Sequence, residues 1–328
     1  MGAVANKGEV RAGSVVLRLV GNPVNARVLR AHAERPRQVA KLHSDLGWAA
    51  QTTLRASVAG LREAGALVRE TKGNTVYASR NRISPAGEEL LFVADTLDRW
   101  LAAAPNGPLT PDSEEAKGAI KALAGGWGST LMRVLAAQPY SLAELDSMIP
   151  EVAYPSLERR LAKMRATRQV TPAPGPGRGT PYAVTDWLRR SIAPLCAAGR
   201  CELRHMRGIA VPISSIEVEA AFLLALPLAP LPPALHGNCM LAVHTGKGDP
   251  ASDPRRGLSG VIVEVQRGKI VCCAAQVDER PRSWALGTPE SWLEAVIEGD
   301  LEGLRFGGTR PRLPAALVHG LHLALFGE

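Results

Sequence analysis

One stretch of this sequence occurs twice and decides the fold. Residues 16–46 read VLRLVGNPVNARVLRAHAERPRQVAKLHSDL, and residues 120–149 read IKALAGGWGSTLMRVLAAQPYSLAELDSMI. Gly21 of the first stretch aligns with Gly125 of the second. Because a period of about 103 residues is too long for a solenoid repeat, it indicates a duplicated domain.

The alignment continues beyond these two stretches. Pro36 aligns with Pro139 after a gap of one residue, and the same offset then holds through a longer helix. Apolar residues recur there at helical spacing, as the pairs Leu54 and Leu157, Val58 and Leu161, and Leu61 and Met164. Two β-prone arms follow in each copy, around Lys72-Gly73-Asn74 in the first and the Pro- and Gly-rich segment 172–181 in the second.

Capping residues mark helix starts in both copies. Ser141 with Glu144 has the spacing of a capping box, and Ser84-Pro85 is an N-cap followed by proline at the first helical position. Closing helices are predicted over residues 84–103 and 185–203. The order of helix, short helix, longer helix, hairpin and closing helix is that of a winged helix-turn-helix domain.

The second copy resembles the HxlR-type winged-helix regulators. It carries Gly125-Gly126-Trp127 at the end of its first helix, S-L-x-x-R-L-x-x-M from Ser156 to Met164, and Y-x-V-T at residues 182–185. These three elements are the ones that carry the resemblance, and other winged-helix regulators, such as the MarR and PadR types, share the general outline.

The first copy is a diverged relative of the second. Asn22-Pro23 replaces the tryptophan element, whereas G-L-R-E-A-G-A-L-V-R at residues 60–69 and I-S-P-A-G-E-E-L at residues 83–90 remain. The resemblance therefore covers about residues 14–205 and implies two winged helices in one chain. Such a chain would read two unlike half-sites, or one copy would have become a dimerisation element.

The resemblance implies that the longer helix of each copy enters the major groove of double-stranded DNA, where its first residues meet base edges. Gln bonds adenine and Arg bonds guanine, at about 1–3 kcal/mol of discrimination for each good pair, and the wings reach phosphate or the minor groove. For Trp48 and Tyr154 the alternative is packing at a helix start. The candidate DNA-binding residues are Trp48, Gln51, Thr52, Arg55, Ser57, Lys72, Asn74, Tyr154, Ser156, Arg159, Arg160 and Arg178.

The charge distribution agrees with a polyanionic partner for the two copies. Residues 1–208 hold 29 Lys and Arg against 18 Asp and Glu, whereas residues 209–328 hold 10 against 13. The excess behind the net charge of +8 therefore lies in the first two thirds of the 328 residues. A GC-rich genome would explain the preference for Arg over Lys, but not this segregation of charge.

The last third of the chain predicts a mixed α/β domain. Strands are expected over residues 238–244, 258–266, 269–276, 283–286 and 301–306, with helices over 288–298 and 313–326. This order is similar to that of the sterol carrier protein type-2-like domains, and T-P-E-x-W-L followed by I-x-G-D within residues 288–300 is the specific part. The resemblance implies a tunnel for lipidic or aromatic molecules, and the candidate lining residues are Phe222, Trp284, Trp292, Leu293 and Phe306. The alternatives are plain core for each residue and a dimerisation platform without ligand for the domain.

Several function classes find no support in the sequence. The five cysteines are odd in number and include the adjacent pair Cys272–Cys273, which argues against a disulfide framework and for a reducing cytoplasm. No apolar run is long enough to span a membrane, and no export signal is recognised. We find no phosphate-loop, nucleophile-elbow or zinc-protease motif, so we expect no enzyme, no cofactor and no metal.

Together these observations predict an α+β protein of three domains. Two winged helix-turn-helix domains, residues 1–104 and 105–208, precede a mixed α/β, sterol-carrier-like domain for ligand binding or dimerisation, residues 209–328. We expect a cytoplasmic bacterial transcriptional regulator that binds double-stranded DNA and responds to a small apolar or aromatic effector. It would act as a monomer with a pseudo-dimeric DNA-binding half or as a homodimer.

Two other functions stay open at this point. One is a small-molecule binding or sequestering protein, for instance in resistance, with vestigial winged helices. The other is an architectural DNA-binding protein without an effector.

Overall fold

The structure is a computed structural model that describes residues 11–47, 49–70, 80–125, 128–175, 179–206, 208–245, 257–278 and 281–327. Over these residues the chain is a mixed α+β protein, as the sequence predicts. We refer to residues 14–102 as unit one, residues 114–205 as unit two and residues 215–325 as the C-terminal region. The predicted boundaries after residues 104 and 208 fall in the segments between these parts.

Unit one and unit two have the same order of elements. Unit one comprises α1 (Ser14–Val20), α2 (Pro23–Glu34), α3 (Val39–Leu46), α4 (Gln51–Glu63), β1 (Leu67–Glu70), β2 (Arg80–Ile83) and α5 (Pro85–Ala102). Unit two comprises α6 (Glu114–Leu123), α7 (Gly128–Ala137), α8 (Leu142–Met148), α9 (Tyr154–Ala166), β3 (Val170–Pro172), β4 (Tyr182–Val184), α10 (Asp186–Arg190) and α11 (Ile192–His205). Because α4 and α9 begin and end at residues that match in the repeat alignment, the duplication seen in the sequence is also a duplication of structure.

Side-chain caps begin several helices of the two units, although α4 and α9 have none. The side chain of Asn22, just before Pro23, accepts a hydrogen bond from the amide of Val24. The side chain of Ser84 accepts one from the amide of Gly87. The predicted capping box of Ser141 and Glu144 is present at the start of α8. Such caps satisfy amides that have no partner inside the helix, which is why these boundaries can be read from the sequence.

Before its closing helix, each unit has a pair of antiparallel strands that gains a third short contact. β1 pairs with β2, and β3 pairs with β4. Single bridges join Arg37 to Asn81 in unit one and Tyr140 to Tyr182 in unit two. In both units the bridge joins the segment just before the short helix (α3 or α8) to the second strand of the hairpin (β2 or β4). The hairpin is therefore attached to the helices in the same way in both units.

The predicted closing helix of unit two is divided. Helix α10 ends at Arg190, and Ser191, whose hydroxyl donates to the carbonyl of Leu188, precedes α11. The closing helix of unit one, α5, is continuous. The difference arises at Pro194 in the first turn of α11, which has no amide hydrogen to donate to the carbonyl of Arg190, where α10 ends.

The two units pack through their closing helices, which run antiparallel. Trp100 near the end of α5 stacks on Trp187 at the start of α10, with ring centroids 4.4 Å apart and planes 4° apart. Each indole donates to the other residue's carbonyl, Trp100 Nε1 at 2.8 Å and Trp187 Nε1 at 2.7 Å. At the other end of the pair, Glu89 near the start of α5 meets Arg200 near the end of α11. The closing helices therefore hold unit one and unit two together at both ends.

The C-terminal region is a five-stranded sheet with helices on one face. Its elements are α12 (Ser215–Ala225), β5 (Gly237–His244), β6 (Leu258–Gln266), β7 (Lys269–Ala274), β8 (Ser283–Gly287), α13 (Pro289–Ile297), β9 (Arg305–Gly308) and α14 (Arg312–Leu325). The strand order is β7-β6-β5-β8-β9, and all neighbours are antiparallel except β5 and β8. The expected strand over residues 301–306 is wrong in position, because Leu304 donates to the carbonyl of Leu301 and the chain turns there before β9 begins.

Helix α12 joins the C-terminal region to unit two. Its second half, residues 220–225, is apolar on all sides and packs between α7 of unit two and the sheet. Among the described residues, no helix combines the length and the apolar composition that crossing a membrane requires.

Candidate functional site

An apolar cavity of about 120 Å³ lies between the C-terminal region and unit two. Helices α11, α12, α13 and α14 form its walls, while Met132 of α7 and Val243 of β5 complete them. The sequence predicts a tunnel within the C-terminal region alone. The observed cavity is instead shared with unit two. Its shape depends on how that region sits against α7 and α11.

Three of the five predicted lining residues meet at this cavity. Phe222, Trp292 and Leu293 all line it. The rings of Phe222 and Trp292 meet edge to face with centroids 4.9 Å apart, and the Trp292 indole donates to the carbonyl of Ala242 at 2.8 Å. Because its one polar group is already satisfied, Trp292 presents only apolar surface to the cavity.

Trp284 and Phe306 do not line the cavity, so the prediction is wrong for these two residues. Trp284 packs with Met240, Ala242 and Leu286 on the sheet face that points away from the helices. Side chains alternate between faces along a strand, and Trp284 is one residue out of phase with the cavity side. Phe306 lies on the edge strand β9 and packs against the main core.

One end of the cavity is polar. Arg11, which is 7% exposed, donates to the carbonyl of Leu123 at 3.0 Å, and its Nε lies 3.7 Å from Glu217 Oε1. The same Glu217 oxygen accepts the amide of Ala12, while Oε2 completes a capping box with Ser214. Burial lowers the pKa of Arg11, and the charge of Glu217 opposes that shift. The ion pair places a fixed dipole at the end of an otherwise apolar space.

Cys196 is the one thiol on the cavity wall among the described lining residues. Burial raises its pKa to about 12, with Arg11 opposing the shift. The thiol therefore stays protonated at neutral pH, and a protonated thiol is a poor nucleophile. The cavity favours reversible binding over covalent chemistry.

The cavity volume limits the size of a ligand. Sites for drug-sized molecules measure roughly 300–1,000 Å³, whereas an apolar cavity of about 150 Å³ holds a single benzene ring. At about 120 Å³ the present cavity matches a small apolar ligand of about one ring. A sterol or a long acyl chain would require the helices around it to separate.

The predicted contact residues of unit one lie at the start of α4. Thr52 and Arg55 are exposed, and Gln51 is half-buried. The expectation that Ser57 is also exposed is wrong, because its hydroxyl is buried and donates to Asn25 Oδ1 at 2.5 Å. Asn25 in turn donates to the carbonyl of Leu19, so Ser57 belongs to the packing between α2 and α4.

The predicted contact residues of unit two lie on α9. Tyr154, which is 45% exposed, Ser156 and Arg159 are open to solvent. Arg160 is half-buried, and together with Ser156 and Arg159 it lines a cleft between α9 and α6. The exposure of Tyr154 argues against the alternative that it is a packing residue.

Four predicted contact residues, Trp48, Lys72, Asn74 and Arg178, lie outside the described residues. They remain predictions. The sequence reasoning missed Arg11, Met132 and Cys196 of the cavity. Arg11 stands before the first helix in a segment without a motif, and Met132 and Cys196 have the ordinary pattern of buried helix residues. No local signal in the sequence distinguishes them.

A comparison of the chain with protein-family models, curated proteins and solved structures finds no match. Within the described ranges, no group of three or more His, Cys, Asp or Glu side chains is placed to hold a metal ion.

Proposed function

We propose that this protein is a DNA-binding transcriptional regulator with a small apolar effector. In this proposal both units are winged helix-turn-helix domains, and α4 and α9 are their recognition helices. The observation that carries the proposal is the repeated architecture, in which two units of the same element order pair through antiparallel closing helices. Dimeric DNA-binding regulators present two reading helices in this manner, one for each half-site.

The two recognition helices would read unlike half-sites. The start of α4 offers Gln51, Thr52 and Arg55, whereas the start of α9 offers Tyr154 and Arg159. Gln favours adenine and Arg favours guanine, so the two sets prefer different base pairs. Fusion of the copies in one chain removes the requirement for a palindromic site.

The cavity supports the effector part of the proposal through its position. It contacts α11 of unit two, and Met132 on its wall belongs to α7 of the same unit. Arg200 and Arg204 of α11 also bind Glu89 of α5, so the same helix is joined to unit one. An effector that fits one placement of α11 better than another would change DNA affinity, and a coupling of about 1–3 kcal/mol is typical.

DNA binding is tested with a fluorescein-labelled duplex of about 30 base pairs, by anisotropy at several salt concentrations. We expect affinity to fall steeply with salt, because phosphate contacts release counterions. Arg55→Met and Arg159→Met should each weaken binding and reduce the salt slope by about 1 if the arginine contacts phosphate. Arg190→Met removes the same charge from an exposed position on α10 outside both helices and serves as the matched control. Salt-independent binding, or equal effects of all three variants, would contradict the proposal.

Effector binding is tested with benzene as the probe, by its effect on the thermal midpoint and on duplex affinity. A Cβ at Gly199 would meet no atom within 4 Å, so Gly199→Val extends its side chain into the open space of the cavity. We expect benzene to stabilise the natural protein but not Gly199→Val. Gly60→Val places the same side chain in equally open space on α4, away from the cavity, and should keep the response. Benzene binding without any duplex binding would favour a sequestering protein instead.

A further inference from the structure

A basic cleft lies between unit one and unit two. It measures about 910 Å³ and is bounded by α9, by α6 and by the turn between α1 and α2. Its cationic lining residues are Arg18, Lys117, Lys121, Arg159, Arg160 and Lys163. No acidic side chain occurs among the described residues that line it, and Glu114 pairs with Lys117 from outside, at 2.7 Å. Positive charge is therefore concentrated in a concave space, which strengthens the local field.

Arg160 is the cation of this cleft that most needs a partner. Its Nη1 is buried and has no hydrogen-bond partner within the described part of the chain. Burial lowers the pKa of Arg160. A partly desolvated guanidinium with one unbonded nitrogen gains free energy when a counter-ion binds it. An anion in the cleft would supply that counter-ion to the guanidinium.

The fold does not require these cations, as the other copy shows. In the alignment of α4 with α9, the positions of Arg159, Arg160 and Lys163 are occupied in unit one by Ala56, Ser57 and Gly60. Unit one has the same helix with the same bounds, and Ser57 closes its position by bonding Asn25. The three cations on α9 are therefore a property of the cleft and not of the repeated architecture.

The close packing of the units gives the cleft a defined base. A Cβ added to Gly21 would lie 2.8 Å from Ile120 Cγ2, so the turn after α1 approaches α6 as only glycine allows. Arg18 reaches the carbonyl of Ala124 at 3.5 Å, and Gln169 donates to the carbonyl of Ala119 at 3.3 Å. These contacts join unit one, α6 and the segment after α9, which all border the cleft.

We propose that this cleft binds a phosphate-bearing small molecule, with Arg160 holding a phosphate group and the surrounding lysines and arginines neutralising the rest. A guanidinium matches the geometry of phosphate oxygens, and lysines add point charges. The volume lies within the range of about 300–1,000 Å³ for small-molecule sites. Met164 and Ile120, which border the same space, offer apolar contact to the unphosphorylated part. The site is separate from the apolar cavity and goes beyond the proposed regulation by an apolar effector.

The test uses inorganic pyrophosphate as the probe, in isothermal titration calorimetry of the full chain at low salt. We expect one site, at least tenfold weaker binding in Arg160→Met and several-fold weaker binding in Lys163→Met. Arg190→Met removes a charge outside the cleft and should bind as the natural protein does. Arg160→Met breaks no hydrogen bond or ion pair within the described residues, so its thermal midpoint without pyrophosphate should not fall.

Two results would overturn the assignment. One is binding of pyrophosphate that Arg160→Met leaves unchanged. The other is the absence of pyrophosphate binding, and a loss of duplex affinity in Arg160→Met would then make the cleft part of a DNA backbone contact. Because the titration contains no DNA, its outcome is independent of whether the protein binds a duplex.

Discussion

His32 shows how a single buried side chain ties stability to pH. It is 1% exposed on α2, its Nδ1 lies 2.8 Å from the carbonyl of Val28, and its Nε2 has no partner within the described ranges. Burial lowers its pKa. In unit two the aligned residue is Leu135, which is also buried. The site therefore accepts an apolar side chain of similar size.

We expect His32→Leu to stabilise the protein and to reduce its sensitivity to acid. The unfolded imidazole takes up a proton near its usual pKa of 6.5, whereas the folded one resists protonation. The unfolded state then binds more protons, and stability is lost as the pH falls below about 6.5. Urea unfolding at pH 7.5 and pH 5.5 measures the free energy of unfolding of both proteins. His32→Leu should raise it by about 1 kcal/mol or more at pH 7.5, and by a larger amount at pH 5.5. An equal loss of stability on acidification in both proteins would contradict it.

The cysteines predict a simple pattern of thiol reactivity. Burial raises the pKa of Cys196, Cys201, Cys239 and Cys273 to about 12, whereas Cys272 is exposed. A disulfide reagent at pH 8 should therefore modify one thiol quickly and the others only after unfolding. Cys272→Ser should abolish the fast reaction. Two or more fast thiols in the natural protein would show that a buried one is accessible.

The same four thiols determine how stability changes in alkali. A thiol in the unfolded chain ionises near pH 9, but in the folded protein it stays protonated to about pH 12. The unfolded state binds fewer protons in this range. The free energy of unfolding is therefore highest below pH 9 and falls as the pH rises toward 12.

At the scale of a helix, Gly199 in α11 is a position where a substitution should raise the free energy of unfolding. It lies mid-helix on the cavity wall, and its added Cβ would meet nothing within 4 Å. Gly199→Ala should raise the free energy of unfolding by about 1 kcal/mol, because glycine is a poor helix former. Gly60→Ala in α4 has equal space and should gain a similar amount without touching the cavity. Destabilisation by Gly199→Ala in urea unfolding would mean that the cavity is more tightly closed than the structure shows.

Elements with local signals were predictable from the sequence, and contacts between distant residues were not. Ser84-Pro85 and Thr288-Pro289 mark helix starts, and Arg267-Gly268 takes the positive φ values of a two-residue hairpin turn. The meeting of Arg11 with Glu217, by contrast, depends on packing between residues 206 positions apart. No local pattern encodes such a pair.

The candidate sites illustrate the same limit. Ser57 and Arg160 occupy one aligned position on the same apolar pattern, yet Ser57 is closed off by Asn25 and Arg160 lines a cleft. Periodicity places both on the border between the buried and exposed faces of a helix. Only the neighbouring elements decide which of them is available to a ligand.

At the scale of the whole molecule, one arginine joins all three parts. Arg200 of unit two is 4% exposed, binds Glu89 of unit one at 2.6 Å and pairs with Glu298 at the end of α13. Its guanidinium also lies 5.2 Å from the centre of the Phe92 ring. A single network of charges therefore contacts all three parts, in addition to the tryptophan pair and the packing of α12 on α7.

We expect Arg200→Met to lower the free energy of unfolding by up to about 3 kcal/mol, because it leaves the largely buried Glu89 with only the more exposed Arg204, at 3.3 Å. Adding Glu89→Gln should recover part of that loss, since the weakly paired charge is then removed. Urea unfolding of the two single variants and the double variant gives the coupling energy. Simple additivity of the two losses would show that the pair does not hold the units together.

Hydrogen exchange at the reciprocal tryptophan pair reports how often the two units separate. Both indole hydrogens are buried and donate across the boundary between α5 and α10, so neither can exchange with solvent deuterium until that boundary opens. The indole hydrogen of Trp292 is held in the same way inside the C-terminal region. Three resonances in an NMR spectrum therefore time the opening of two different places in one molecule, and their response to benzene or pyrophosphate would reveal which opening each ligand slows.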